Sequence, residues 1–81
     1  MAKSVQVRYF AILREQRGLD QETVATEAGN PTELYLELCT RHGLKLPRER
    51  LRVAVNDEFA SWGVPLRDGD AVAFIPPVAG G

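Results

Sequence analysis

"NPTELYLELCTRHG", Asn30 to Gly43, is the segment of this chain with the strongest reason to be a helix. Asn30 can accept an orphan backbone N–H at the start of a helix. Pro31 suits the first helical position, where its missing donor costs nothing, and Glu33 completes an Asn-x-x-Glu capping box. Gly43 supplies a left-handed stop, and Arg41 and His42 fall in the last turn, where the helix dipole favours cations. Between the caps, Leu34, Tyr35, Leu38 and Cys39 form an i, i+1, i+4, i+5 stripe, which predicts one face packed on a sheet. Leu36 lies off that stripe and is left unplaced.

The segments on either side read as strands. In "SVQVRYF" (Ser4 to Phe10), Val5, Val7 and Tyr9 point one way and Gln6 and Arg8 the other, the period of a half-buried strand. "AILREQRG" then predicts a short helical turn or tight connection ending on Gly18. "DQETVATEA" is weakly alternating and reads as an edge strand hairpinned to the first. After the helix, "KLPRER" is expected to be loop. "LRVAVN" (Leu51 to Asn56) alternates with Leu51, Val53 and Val55 on one face. "DEF" predicts a turn into a short strand around Phe59 to Trp62, and Asp68-Gly69 in "PLRDGD" is a strong turn pair. "AVAFI" (Ala71 to Ile75) is apolar on both faces, as a central strand is.

The order strand, strand, helix, strand, short strand, strand predicts an α+β roll. The helix supplies the long crossover that lets the last strand lie parallel to the first. This is the ubiquitin-like β-grasp arrangement, a mixed sheet of about five strands with one main helix packed across it. Residues 1–75 are expected to form this domain and residues 76–81 an extended tail.

Composition narrows the function classes. The chain has 81 residues, 44% hydrophobic and 26% charged, with a formal net charge of −1. That suits one globular domain. The cations are dispersed, with only Arg48, Arg50 and Arg52 close together, so no nucleic-acid partner is expected. Neither a leader nor a membrane span is expected. Cys39 is the only cysteine, which excludes an intrachain disulfide and a cysteine-based zinc cluster and suggests a cytoplasmic protein. His42, the only histidine, reads as a helix C-terminal cation, Cys39 as a small hydrophobe, and Asp68 and Asp70 as turn residues. No phosphate loop, Ser/His/Asp set or HExxH motif occurs. The folded body is therefore expected to hold no metal, no bound cofactor and no active site of its own.

The chemistry is expected in the tail, "PPVAGG". A chance Gly-Gly end should occur about 0.5% of the time. Pro76 and Pro77 hold the backbone extended, Val78 and Ala79 offer small apolar grips, and Gly80 and Gly81 have no side chain to obstruct a narrow passage. Six extended residues reach at most about 20 Å. The reactive atoms of such a probe are those of the Gly81 carboxylate. A carboxylate is a poor electrophile until it is joined to AMP, after which a sulfur donor can leave a thiocarboxylate.

"VAVNDEF" and "PLRDGDAVAFIPPVAGG", with the earlier "FAILREQRG", resemble the sulfur-carrying small subunits of molybdopterin synthase (the MoaD type), and the likeness covers essentially the whole chain. A bare Gly-Gly end alone also fits carriers for thiamine, cysteine or tRNA thiolation, and ubiquitin-like modifiers or interaction modules. The resemblance implies that an E1-like enzyme adenylates Gly81 with MgATP and that a persulfide-bearing sulfurtransferase supplies sulfur. The tail, Pro76 to Gly81, would then insert into the large catalytic subunit and donate sulfur to cyclic pyranopterin monophosphate. It also implies a heterotetramer of two small and two large subunits. Alternation puts Ala73 and Ile75 outward if Val72 and Phe74 face the core. Together with Phe59 they are the expected partner-binding surface, with Trp62 divided between that surface and the core.

Overall fold

In the computed structural model, which describes residues 2–77, Val5, Val7 and Tyr9 of strand β1 (Lys3–Tyr9) are buried, while Ser4, Gln6 and Arg8 are exposed. Helix α1 (Ile12–Arg17) ends on Gly18 in the left-handed conformation and leads into β2 (Gln21–Thr26), antiparallel to β1. The register pairs Val5 with Val24 and Lys3 with Thr26, so the buried residues of both strands share one face. Thr26 is buried but satisfied. Its hydroxyl donates to Glu37 Oε1 (2.6 Å) and accepts from the Ala28 N–H (3.0 Å), so its burial carries no unpaired polar group.

Helix α2 (Pro31–His42) forms where its caps predict. The Asn30 side chain accepts from the Glu33 N–H at 2.9 Å, and Gly43 is left-handed at φ 69°. The capping box differs in one bond: Glu33 Oε1 accepts from the Gly29 N–H at 2.8 Å, one residue before the expected Asn30 donor. The expected loop "KLPRER" contains a short 3₁₀ turn, Arg48–Arg50. Strands β3 (Arg52–Val55) and β4 (Glu58–Ala60) then form a hairpin. Its two turn residues, Asn56 and Asp57, both have positive φ, at 52° and 69°. Those dihedral signs belong to the tight hairpin turn whose twist matches its strands.

The last strand, β5 (Ala71–Ile75), lies in the middle of a sheet ordered β2-β1-β5-β3-β4. It runs parallel to β1 and antiparallel to β3. The result is the β-grasp roll expected from the sequence. Leu34, Tyr35 and Leu38 of α2 pack with Val5, Val7, Val53, Val72 and Phe74 of the sheet in one core cluster. β4 stops short of Trp62, whose place is at the end of this core. Its ring stacks on Phe74 with centroids 5.8 Å apart and meets the Tyr35 ring edge-on at 6.1 Å. The Thr32 N–H and hydroxyl both donate to the Trp62 carbonyl, at 3.2 and 3.0 Å, which ties this loop to the start of α2.

A polar knot closes the other end. Tyr9 is buried, and its hydroxyl donates to Glu22 Oε2 at 2.6 Å. Arg17 donates to both oxygens of Glu22, from Nε at 2.9 Å and from Nη2 at 2.8 Å. His42 Nε2 stands 3.7 Å from the same carboxylate. Arg17 is the main reason that the Glu22 carboxyl is held below its ordinary value of 4.5, with Tyr9 adding to the effect and partial burial opposing it. A carboxylate with a lowered folded pKa gives stability that is complete above its unfolded value and is lost as pH falls through the folded one. Glu22→Gln should therefore lower Tm at neutral pH by about 4–8 °C, as expected for about 1 kcal/mol in a domain of this size. The difference from wild type should shrink as the pH is taken below 4.5. A difference in Tm that stays constant across the acid limb would contradict this account of Glu22.

Candidate functional site: the rim where the tail leaves the sheet

Because β5 is central, Ile75 hands the chain to Pro76 and Pro77 from the middle of the sheet. Along β5, buried Val72 and Phe74 alternate with half-buried Ala73 and Ile75. Ala73 lies between Arg8 of β1 and Ala54 of β3, Ile75 pairs with Arg52, and Ala54 pairs with Phe59. These residues share the sheet face turned away from α2, since strand neighbours keep a common face. Phe59 is 69% exposed, the most exposed large apolar side chain among the described residues. The three partner-surface residues expected from the sequence, Phe59, Ala73 and Ile75, are thus brought together on one open face.

Pro76 is buried and Pro77 exposed. The two prolines line two grooves. Phe10 and Ile12 line one with Ile75; Arg50, Arg52 and Phe59 line the other, again with Ile75. Val78, Ala79, Gly80 and Gly81, the rest of the expected site, lie outside the described residues.

Sequence reasoning missed Phe10 and Ile12, which are 38% and 42% exposed beside the tail. The signal for Phe10 was available: it falls out of phase with Val5, Val7 and Tyr9, so alternation sends it outward with Arg8. Ile12 had none, because a six-residue helix is too short for a stripe to be read. Between them, Ala11 sits at φ 52°, ψ −125°, a conformation that L-residues rarely adopt. This bend lets the chain turn from β1 into α1 with Phe10 and Ile12 both on the outside.

The remaining candidates are structural. Burial pushes the Cys39 thiol up from its ordinary value, and the residue packs against the core. A thiol so placed is a poor nucleophile. Asp68 Oδ1 accepts from the Ser4 N–H at 2.7 Å. Asp70 accepts from Asn56 Nδ2 at 3.0 Å and from the Arg67 N–H at 2.8 Å, bonds that hold its carboxyl below the usual range. Both aspartates are committed to the turn around Gly69. Among the described residues no group of His, Cys, Asp or Glu side chains could hold a metal ion, and no helix is long and apolar enough to cross a membrane.

Residues 7–81 match the model of the ThiS family. The molybdopterin synthase sulfur carrier subunit of Escherichia coli (strain K12) is 39% identical over 80 residues, covering 95% of this chain and 99% of the relative. Among solved structures, a chain of the complex of subunits 1 and 2 of the molybdopterin-converting factor from Helicobacter pylori 26695 is 33% identical. It has a TM-score of 0.66 over 96% of this chain and 99% of its own. SAMP1 from Haloferax volcanii is 27% identical with a TM-score of 0.76, over 96% and 99%.

The strain at Ala11 has a measurable consequence. A non-glycine residue in such a region costs about 1–3 kcal/mol. Glycine removes that cost but adds unfolded-chain entropy of up to about 1 kcal/mol. The balance is a gain of about 0–2 kcal/mol, so Ala11→Gly should leave Tm unchanged or raise it by up to roughly 16 °C. A fall in Tm on thermal melting would show that Ala11 is not strained.

Proposed function

The chain belongs to the ThiS family, among the molybdopterin synthase sulfur carrier subunits, and from this premise we propose that Gly81 is the atom-carrying end of a sulfur relay. The Gly81 carboxylate attacks the α-phosphate of MgATP on an E1-like enzyme, forming an acyl-adenylate and releasing pyrophosphate. A persulfide sulfur displaces AMP. Cleavage of the resulting sulfur–sulfur bond by a thiol leaves a thiocarboxylate at Gly81. In the large subunit of molybdopterin synthase, that sulfur is transferred to cyclic pyranopterin monophosphate, and two carriers used in turn complete the dithiolene. The assembly is a heterotetramer of two small and two large subunits. The setting is the cytoplasm, where the activating enzyme finds its ATP. MgATP is a substrate of that enzyme, and no cofactor is assigned to this chain.

The observation that carries this reading is the 39% identity to a named sulfur carrier subunit across 95% of the chain. The division of labour in the fold supports it. Every polar cluster described above is spent on holding the body together, while the open face surrounds the root of the tail. We assign Phe59, Ala73 and Ile75 to docking on the large subunit and the activating enzyme. Pro76, being buried, anchors the tail, and Pro77 to Gly81 form the part that inserts.

Incubation with the activating enzyme, ATP and a sulfur source should change the intact mass by the replacement of one oxygen with sulfur. The change should map to the C-terminal peptide and vanish when Gly81 is deleted. No change, with an enzyme active on another carrier, would overturn the assignment of Gly81. The likeness to SAMP1, a small archaeal modifier protein, favours a second reading in which the activated acyl group also acylates lysines. An isopeptide-linked adduct in the same reaction would support it.

Docking is tested separately. Ile75→Asp places a charge in the apolar face and should weaken binding to the large subunit at least about tenfold in calorimetry, with Tm changed by only a few degrees. Large-scale unfolding of this variant would place Ile75 in the core instead.

A further inference from the structure

Three arginines line the grooves at the root of the tail, and a fourth, Arg8, stands over the Phe10 ring that lines one of them. Arg8 and Arg14 lie on the side of Phe10, Arg50 and Arg52 on the side of Phe59. All four are exposed. None makes an ion pair among the described residues, where the pairs present belong to Arg17, Arg41 and His42. Two are held over aromatic rings of the face itself: Arg8 stands 5.7 Å from the Phe10 centroid and Arg52 5.9 Å from the Phe59 centroid. Among the described residues, Glu15 is the one carboxylate lining the same grooves.

This local excess stands out because the whole chain carries a formal net charge of −1, from 10 Lys and Arg against 11 Asp and Glu. The other acids of the described residues line neither groove, and several are bound internally: Glu22 to Arg17, Glu37 to Arg41, and Asp70 to its own turn. Unpaired arginines ringing an apolar patch are unsuited to a second copy of this chain, which would set guanidinium against guanidinium. They suit a surface of opposite charge, since complementary potentials speed encounter and fix orientation. Stacking on Phe10 and Phe59 keeps two of the charges beside the apolar contact, where they flank the tail.

We infer that Arg8, Arg14, Arg50 and Arg52 form an electrostatic collar that recognises a protein socket with an apolar floor and a carboxylate rim, and that the collar steers the tail into that socket. This deepens the docking assignment made above and rests on it. The floor meets Ile75, Ala73 and Phe59, and the rim meets the arginines. The collar acts chiefly on the rate of association, because exposed rim charges govern encounter more than residence.

The test is stopped-flow association of the full chain with the large synthase subunit encoded in the same genome. For wild type, the association rate constant should fall at least about tenfold from about 50 mM to about 500 mM NaCl, as expected when the screening length shortens from about 14 Å to about 4 Å. R50E/R52E should slow association at low salt by at least about tenfold and lose most of the salt dependence. R41E/K45E makes the same change in net charge around the C-terminal end of α2, at residues that line neither groove, and should stay within about twofold of wild type. R50Q/R52Q, which reverses no charge, should fall between, and thermal melts check that each variant folds.

Equal slowing by the two charge-reversed pairs would overturn the collar, because net charge alone would explain it. So would a salt-independent rate with R50E/R52E unaffected. In that case, loss of binding by Ile75→Asp would leave the docking face standing without the collar. Wild-type binding by Ile75→Asp as well would remove the docking face itself. A homodimer of this chain dispersed by R50E/R52E, or binding of a labelled single-stranded oligonucleotide lost in that variant, would also overturn the inference by giving the arginines a different partner.

Discussion

The parallel pairing of β1 with β5 is the constraint on which the rest of this molecule depends. Val7 lies beside Val72 and Tyr9 beside Phe74, so the first and last strands meet at the centre of the core. A parallel pair cannot be closed by a tight turn and needs a crossover. Helix α2 provides it, and the same crossover puts an apolar stripe over the sheet. Once β5 is central, β2 and β4 must take the edges. The chain then leaves from the middle of the sheet instead of fraying from an edge. The segment that follows such a strand starts from one of the best-anchored points of the fold.

The two sheet faces answer different demands. Toward α2, side chains are large and dry: Val5, Val7, Tyr9, Val53, Val72 and Phe74 are each 1% exposed or less. Away from α2, the central positions are small, Ala54 and Ala73, and larger apolar groups stand around them at Phe59, Ile75, Phe10 and Ile12. Small residues in the middle keep that face flat and open to another surface. Polar interactions follow the same division. Tyr9, Glu22 and Arg17 bind one another at the margin of the core, while the arginines near the tail remain exposed. The body is thus built for holding and presenting, and the chemistry proposed for this family member resides in atoms beyond it.

Much of this was legible because the signals are local. The caps of α2 depend on residues within four positions of each other, and alternation in β1 and β5 needs only the strand itself. Errors arose where a local rule had several permissible outcomes. Glu33 could reach Asn30 or Gly29, and the turn geometry selected Gly29. Trp62 could extend β4 or close the core. Its carbonyl is held by Thr32, about thirty residues earlier, and its ring by Phe74, about a dozen residues later, contacts that no local pattern encodes. Leu36, which fitted no stripe, is 59% exposed.

The residues alone determined which segments are helical or extended and which face of each turns inward. They did so because caps, periods and turn residues act over a few bonds. Only the tertiary structure decided that Phe10, Ile12, Arg50, Arg52 and Phe59 gather around Pro76 and Pro77. Those groups come from three separate parts of the chain. They become neighbours only because the β1–β5 pairing folds both ends of the sequence into one sheet, and that register is chosen by the burial of the core as a whole.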